Sequence, residues 1–416
     1  CHDVCCKIAD IVVVGGVRRS ALISLSNLSD QRMARAKNGN WWDTEGQRRL
    51  ANNSVAYTEK PDFEAFLAEM NTMYESKAGE RGIFSRVAAK NIAERNGRRD
   101  PNHEFGTNPC SEIILRSNQF CNLSEIVVRS GDSLATLNQK AEIAAIIGTL
   151  QATLTDFRYL RNLWKRNTEE EALLGVSMTG IMDHKILSGS EPKELEKWLE
   201  SIKNVAIKTN KSWASKLGIN QSAAITCVKP SGTVSQLVDS ASGIHPRFSE
   251  YYIRRVRSDK KDPLAVFMSE VGFPVEQDFM SEASLVFSFP VKAPKNAVTV
   301  SEVGAIQQLE LWKTYQNHWC EHKPSITVYY TDDEFLQVAQ WIWNNFDLCS
   351  GISLLPFSDH LYQQAPYESI DSSKYKELLA AMPKNIEWTD LINYEQEDNT
   401  TGSQELACVG GACEIV

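Results

Sequence analysis

Short apolar runs alternating with long helical stretches constrain this chain most. Such alternation, sustained over several hundred residues, favours a closed or doubly wound α/β fold over separate all-α and all-β units. Ala223-Ala224-Ile225-Thr226-Cys227-Val228 reads as a short apolar strand that stops at Pro230, and Ser325-Ile326-Thr327-Val328-Tyr329-Tyr330 as a β-branched, aromatic one. Ile11-Val12-Val13-Val14 running into Gly15-Gly16 predicts a buried strand that empties into a glycine loop, as parallel sheets place at the carboxyl ends of their strands. Helical spacing covers 62–75 and 84–95, with Phe63, Phe66, Leu67 and Met70 on one face. It returns over 137–165 and over 192–217, the latter rich in Lys and Glu on a solvated face.

A chain of 416 residues with 42% hydrophobic content can bury a large core. Its net charge of -9 argues against a general nucleic-acid binder, although a nucleotide enzyme needs only a local basic pocket. No apolar run approaches the roughly 18 residues that a membrane span requires, and no signal-peptide pattern opens the chain, so the expected location is cytoplasmic. The ten cysteines neither form Cys-x-x-Cys pairs nor crowd into a small scaffold, which makes structural zinc a poor reading. Cys227, Cys320 and Cys349 sit in apolar or aromatic surroundings and are expected as core residues. The first residue is Cys1, which suits either a protein-splicing junction or a plain gene fragment.

The chemistry concentrates at Asn108-Pro109-Cys110-Ser111-Glu112, with Cys121 eleven positions after Cys110. A thiol beside a carboxylate, with a second thiol in reserve, suits radical and redox chemistry on one substrate. If this segment is extended, Asn108, Cys110 and Glu112 share a side, because strand side chains alternate with period two. The run from Cys121 to Val128 would continue as a second strand. A buried strand cysteine is the commoner fate of a lone Cys. Here the flanking Asn and Glu would be costly to bury without a polar partner, and a substrate with hydroxyl groups supplies one.

This segment resembles the catalytic loop of ribonucleotide reductases, and three more segments agree with that family in order. Gly15-Gly16-Val17-Arg18-Arg19-Ser20-Ala21 resembles the loop that links the specificity effector to the substrate base, Lys229-Pro230-Ser231-Gly232-Thr233-Val234-Ser235 the substrate-phosphate loop, and Cys408-Val409-Gly410-Gly411-Ala412-Cys413 the redox-active tail. Phe157–Arg161, Leu174–Ile181 and Ser242–Arg247 look like the monomeric, adenosylcobalamin-dependent branch, which reduces ribonucleoside triphosphates. The resemblance implies a ten-stranded α/β barrel, here without its first strands, over residues 1–394, followed by a redox-active tail over 395–416. The rival readings are a class I-type large subunit, against which the branch-specific segments speak, and an inactive nucleotide-binding fragment.

The resemblance also implies roles. Cys110 would become a thiyl radical and take the ribose 3′-hydrogen, Glu112 would be the general base for the 3′-hydroxyl, and Asn108 would hydrogen-bond the ribose hydroxyls. Cys121 would be half of the pair that ends as a disulfide; the family partner lies upstream of Cys1, and Cys5 and Cys6 do not match its position. Cys408 and Cys413 would shuttle electrons from a thioredoxin-like reductant. Pro230, Ser231, Gly232 and Thr233 would hold the substrate phosphates, while Gly15, Gly16, Val17, Arg18 and Arg19 would answer a deoxynucleotide effector. Arg254, Arg255 and Arg257 either add charge to the triphosphate or form a basic surface stripe. His184 and His245 are more simply hydrogen-bonding residues than ligands, and no residue is assigned to metal. The expected partners are the triphosphate, the effector, the reductant and the missing upstream polypeptide, without membrane or direct nucleic-acid contact.

Overall fold

The structure, a computed structural model, describes residues 1–10, 12–14, 17–18, 20–279, 282–357, 363–395, 408–409 and 412–413. Eight extended segments hydrogen-bond side by side in one row among the described residues. Leu22–Ser26, Ala51–Tyr57 and Gly82–Ser85 run parallel. An antiparallel bridge, Ile83 to Ile352, joins them to Ser353–Pro356 and its parallel neighbour Thr327–Tyr330. Bridges from Val228 to Pro324 and from Thr226 to Val176 then carry the row to Leu174–Thr179, which pairs in parallel with Asn122–Val127. The row is two parallel halves meeting at one antiparallel seam, with Leu22–Ser26 at one end and Asn122–Val127 at the other. A mixed α/β architecture, as the alternation requires, is what the chain adopts.

Helices cover the row because their caps and apolar faces are encoded locally. Asp62 and Ser85 accept from the backbone N–H groups of Ala65 and Ala88 at the starts of Phe63–Ser76 and Arg86–Arg95. The helix Pro192–Leu217 opens on proline and closes on Gly218 at φ 70°, matching the expected span. Small residues Ala141, Ala144, Ala145 and Gly148 let Leu134–Gln151 lie close on the Leu174 strand, where a Cβ on Gly148 would stand 3.0 Å from Leu174 Cγ. Trp312 and Trp319, both fully buried, donate their indole N–H groups to the carbonyls of Pro324 and Cys227 and so tie the Ala305–His318 region to the row.

Several expectations change. The helical stretch 137–165 is two helices, Leu134–Gln151 and Asn162–Glu171; Thr153 Oγ1 donates to the Leu150 carbonyl and Thr155 Oγ1 to Glu169, bonds that compete with helix continuation. On Phe63–Ser76 the buried face is Phe66, Glu69, Met70 and Met73, while Phe63 and Leu67 are exposed. Val13–Val14 is not a parallel strand. It pairs antiparallel with Val17–Arg18, and Val12 is exposed. Arg254, Arg255 and Arg257 lie on Tyr251–Asp259, in a separate four-stranded antiparallel sheet, where Arg254 stacks on Tyr367 and the other two pair with Glu368 and Asp278. Cys227, Cys320 and Cys349 are buried as expected. Among the described residues no helix is long and apolar enough to cross a membrane.

Candidate active site

Asn108–Glu112 is the tip of a hairpin rather than a strand. Gly106–Thr107 pairs antiparallel with Ile114–Leu115, Ser111 N–H donates to the Asn108 carbonyl at 2.9 Å, and Ser111 sits in the left-handed region at φ 65°. Asn108 Oδ1 accepts from Ile113 N–H at 3.0 Å, so the asparagine folds the tip on itself. The period-two argument for a shared side therefore fails. What replaces it is a tip held by its carbonyls: Pro109 accepts from Asn52 Nδ2 at 3.0 Å, Cys110 from Ser325 Oγ at 2.5 Å, and Glu112 from Lys323 N–H at 3.2 Å.

This anchorage sets Pro109, Cys110 and Ser111 on the wall of a cavity that Pro230, His245, Asn52, Asn53 and Glu80 also line. Cys110 is partly exposed there. Glu112, the last residue of the tip, is fully buried, and neither carboxylate oxygen has a hydrogen-bond partner. Burial pushes its carboxyl above the ordinary range, against the opposing pull of Asn108, Lys229 and Lys323. Cys121, just before the Asn122–Val127 strand, packs against Leu173, Ala223 and Ala224. Burial, reinforced by Glu112, pushes its thiol up. Glu112 and Cys121 are thus close enough to act on each other.

The predicted phosphate loop adjoins this cluster. Ser231 precedes the short helix Gly232–Leu237, and its N–H donates to Ser242 Oγ. Its hydroxyl donates to Glu125 at 2.7 Å, while Thr233 is exposed. Cys408 and Cys413 are directly opposed across an antiparallel pair, so the backbone brings the two tail cysteines together. Gly410 and Gly411 lie outside the described residues, as do Gly15, Gly16 and Arg19. Val17 and Arg18 are placed only as the second strand of their short pair. His184 accepts from Leu187 N–H and donates to the Asp132 carbonyl. His245 likewise accepts from Thr327 N–H and donates to the Ser242 carbonyl, and burial pushes it down to about 4.

Two residues were missed by sequence reasoning. His322, fully buried, accepts from Ile114 N–H at 3.2 Å and donates to the Leu174 carbonyl at 2.9 Å, tying the hairpin to the row. Lys323, also fully buried, donates to Ser111 Oγ at 2.5 Å and to the Ser350 carbonyl at 3.2 Å. The available signal was Glu321-His322-Lys323-Pro324, a polar run placed directly before an apolar strand.

The unpaired Glu112 carboxyl yields a stability prediction. Its folded-state pKa is raised, so the unfolded chain ionises first, and its effect on stability turns unfavourable as pH rises above about 4.3, the ordinary glutamate value. Glu112→Gln should therefore be more favourable to stability at pH 8 than at pH 5. Thermal melts at the two pH values test this; equal effects at both would contradict it.

No family model matches the chain. It is similar along nearly its whole length to adenosylcobalamin-dependent ribonucleoside-triphosphate reductases. The Lactobacillus acidophilus protein is 28% identical over 99% of this chain, and that of Lacticaseibacillus paracasei 29% identical over 98%. The chain spans 59% and 58% of those relatives' lengths. Among solved structures, a B12-dependent (class II) ribonucleotide reductase superposes over 95% of this chain and 58% of its own, with a TM-score of 0.77 and 26% identity. The Actinobacillus ureae class Id reductase alpha subunit shares the fold alone, with a TM-score of 0.53 and 14% identity over 81% of this chain and 70% of its own.

Proposed function

We propose that this chain is the catalytic-loop-bearing portion of an adenosylcobalamin-dependent ribonucleoside-triphosphate reductase. One observation carries the reading: Cys110 stands at a cavity wall while Glu112, two residues on, is buried with both oxygens unpaired. A carboxylate is kept in that condition when its hydrogen-bond partner is a substrate. The cavity fits a bound nucleoside-like group on independent grounds, because Asn53 Nδ2 and Glu80 Oε2 are buried at its wall without partners. These residues, with Asn52, would hold the adenosyl end of the cofactor. Adenosylcobalamin, when bound, supplies the radical that takes the hydrogen atom from the Cys110 thiol.

Cys110 then abstracts the ribose 3′-hydrogen. Glu112 takes the 3′-hydroxyl proton as the 2′-hydroxyl leaves as water, and Asn108 orients the hydroxyls. The Cys110–Glu112 turn and the Pro230–Thr233 loop hold the two ends of the nucleotide, ribose and phosphates. Cys121 and an upstream thiol supply two electrons and close as a disulfide. Residues 15–19 respond to a deoxynucleotide effector, and the tail, 395–416, returns electrons from a thioredoxin-like protein in the cytoplasm. Two further strands from the upstream polypeptide, added to the eight in the row, would close a ten-stranded barrel over residues 1–394.

The direct test is reduction of ribonucleoside triphosphates by the chain combined with the upstream region, with and without adenosylcobalamin. Product that forms equally well without cobalamin would overturn the assignment, as would none in any mixture. In the same assay, Cys408→Ser or Cys413→Ser should leave a single turnover largely intact and stop repeated turnover with a thioredoxin-type reductant. A small dithiol should restore it; if the dithiol fails, the shuttle role is wrong.

A further inference from the structure

Lys323 is a fully buried lysine whose side-chain hydrogen bonds among the described residues go to neutral acceptors. Its ammonium donates to neutral acceptors, Ser111 Oγ at 2.5 Å and the Ser350 carbonyl at 3.2 Å, and lies 5.1 Å from the centre of the Phe84 ring. A charge taken out of water on such terms is disfavoured unless another charge answers it. The charged group acting on it is Glu112, whose own oxygens are unpaired. Burial pushes the Lys323 amine down to about 7, with Glu112 pulling it back up. The room for this ammonium is itself encoded, because a Cβ on Gly351 would stand 1.9 Å from Nζ. The backbone of Lys323 joins in as well, donating its N–H to the Glu112 carbonyl at 3.2 Å.

Ser111 thus bonds the Lys323 ammonium and is the residue directly before Glu112. Its hydroxyl is gripped from below by Nζ, and its backbone, at φ 65°, makes the turn that separates Cys110 on the cavity from Glu112 in the interior. We infer that Lys323 is a positioning residue for this turn, gripping it through Ser111 and the Glu112 carbonyl and forming, together with Lys229, the positive charge that faces Glu112. The inference rests on the proposed function only for the turn's role in nucleotide chemistry, since the grip and the charge coupling belong to the folded chain.

The test uses the chain combined with the upstream region, without nucleotide or cobalamin, so its outcome is independent of the reductase assay. Infrared titration would follow the protonated carboxyl of Glu112, identified by the band that Glu112→Gln removes. Hydrogen exchange would follow the backbone of residues 106–115. In Lys323→Met the Glu112 midpoint should rise, as loss of an opposite charge does, and the turn should exchange faster. If that variant does not fold, Gly351→Ala decides on the same two readouts, because it keeps the lysine but displaces the ammonium. An unmoved midpoint in a folded variant overturns the inference whatever the exchange does, since a lysine that merely packs would change exchange alone.

Discussion

Cys110→Ser is expected to bring ribonucleotide reduction to background while leaving the fold intact. The turn is held through carbonyl groups, those of Pro109, Cys110 and Glu112, which accept from Asn52, Ser325 and Lys323. An oxygen in place of sulfur leaves these bonds untouched, so stability should stay within about 0.5 kcal/mol of wild type. Chemistry changes completely, because an O–H bond is too strong to yield the hydrogen atom that an S–H bond yields. Deoxynucleotide formation by the variant combined with the upstream region is the measurement, with a thermal melt as control. Wild-type-like product would remove Cys110 from the mechanism.

Much of this site was legible in the sequence, for reasons that differ residue by residue. The thiol, the carboxylate and Cys121 could be found because their spacing is unusual and burying Asn or Glu without partners is costly. The helix 192–217 could be read to the residue, since Pro192 and Gly218 mark its ends. The turn at Cys110 could not, because Ile113-Ile114-Leu115 reads as a strand and only the left-handed Ser111 and the Asn108 side chain reveal a hairpin tip. Lys323 was invisible for a related reason. Its partners, Ser111, Ser350 and Glu112, arrive from distant parts of the chain, and a lysine before a proline ordinarily marks a solvated loop. The antiparallel sheet around Tyr251–Asp259 escaped because Arg254, Arg255 and Arg257 look like a basic stripe until Tyr367, Glu368 and Asp278 are placed beside them.

The chain purified alone is expected to fold in part, to aggregate, and to fail at repeated nucleotide reduction. Among the described residues the strand row ends at Leu22–Ser26 and at Asn122–Val127, and unpaired strand edges recruit other chains. Beside the second edge runs a groove lined by Leu123–Val127 and by Ile143 and Ile147, with Leu150 further along the same helix; these three helix side chains are exposed. Leu154, Tyr159 and Leu160 extend the exposed apolar surface in sequence. A strand from the upstream polypeptide would pair with the edge and cover part of this surface. The resemblance places the redox partner of Cys121 upstream of Cys1; Cys121 packs near Leu173 and Ala224, whereas Cys6 packs with Ala9, Leu50 and Ala51 in a separate cluster. Without that thiol, no disulfide at Cys121 can release two electrons. Co-expression with the upstream region should therefore raise soluble yield, reduce binding of an apolar dye and restore multiple turnover together. Sustained turnover by residues 1–416 alone would refute the proposal and return Cys5 and Cys6 to consideration.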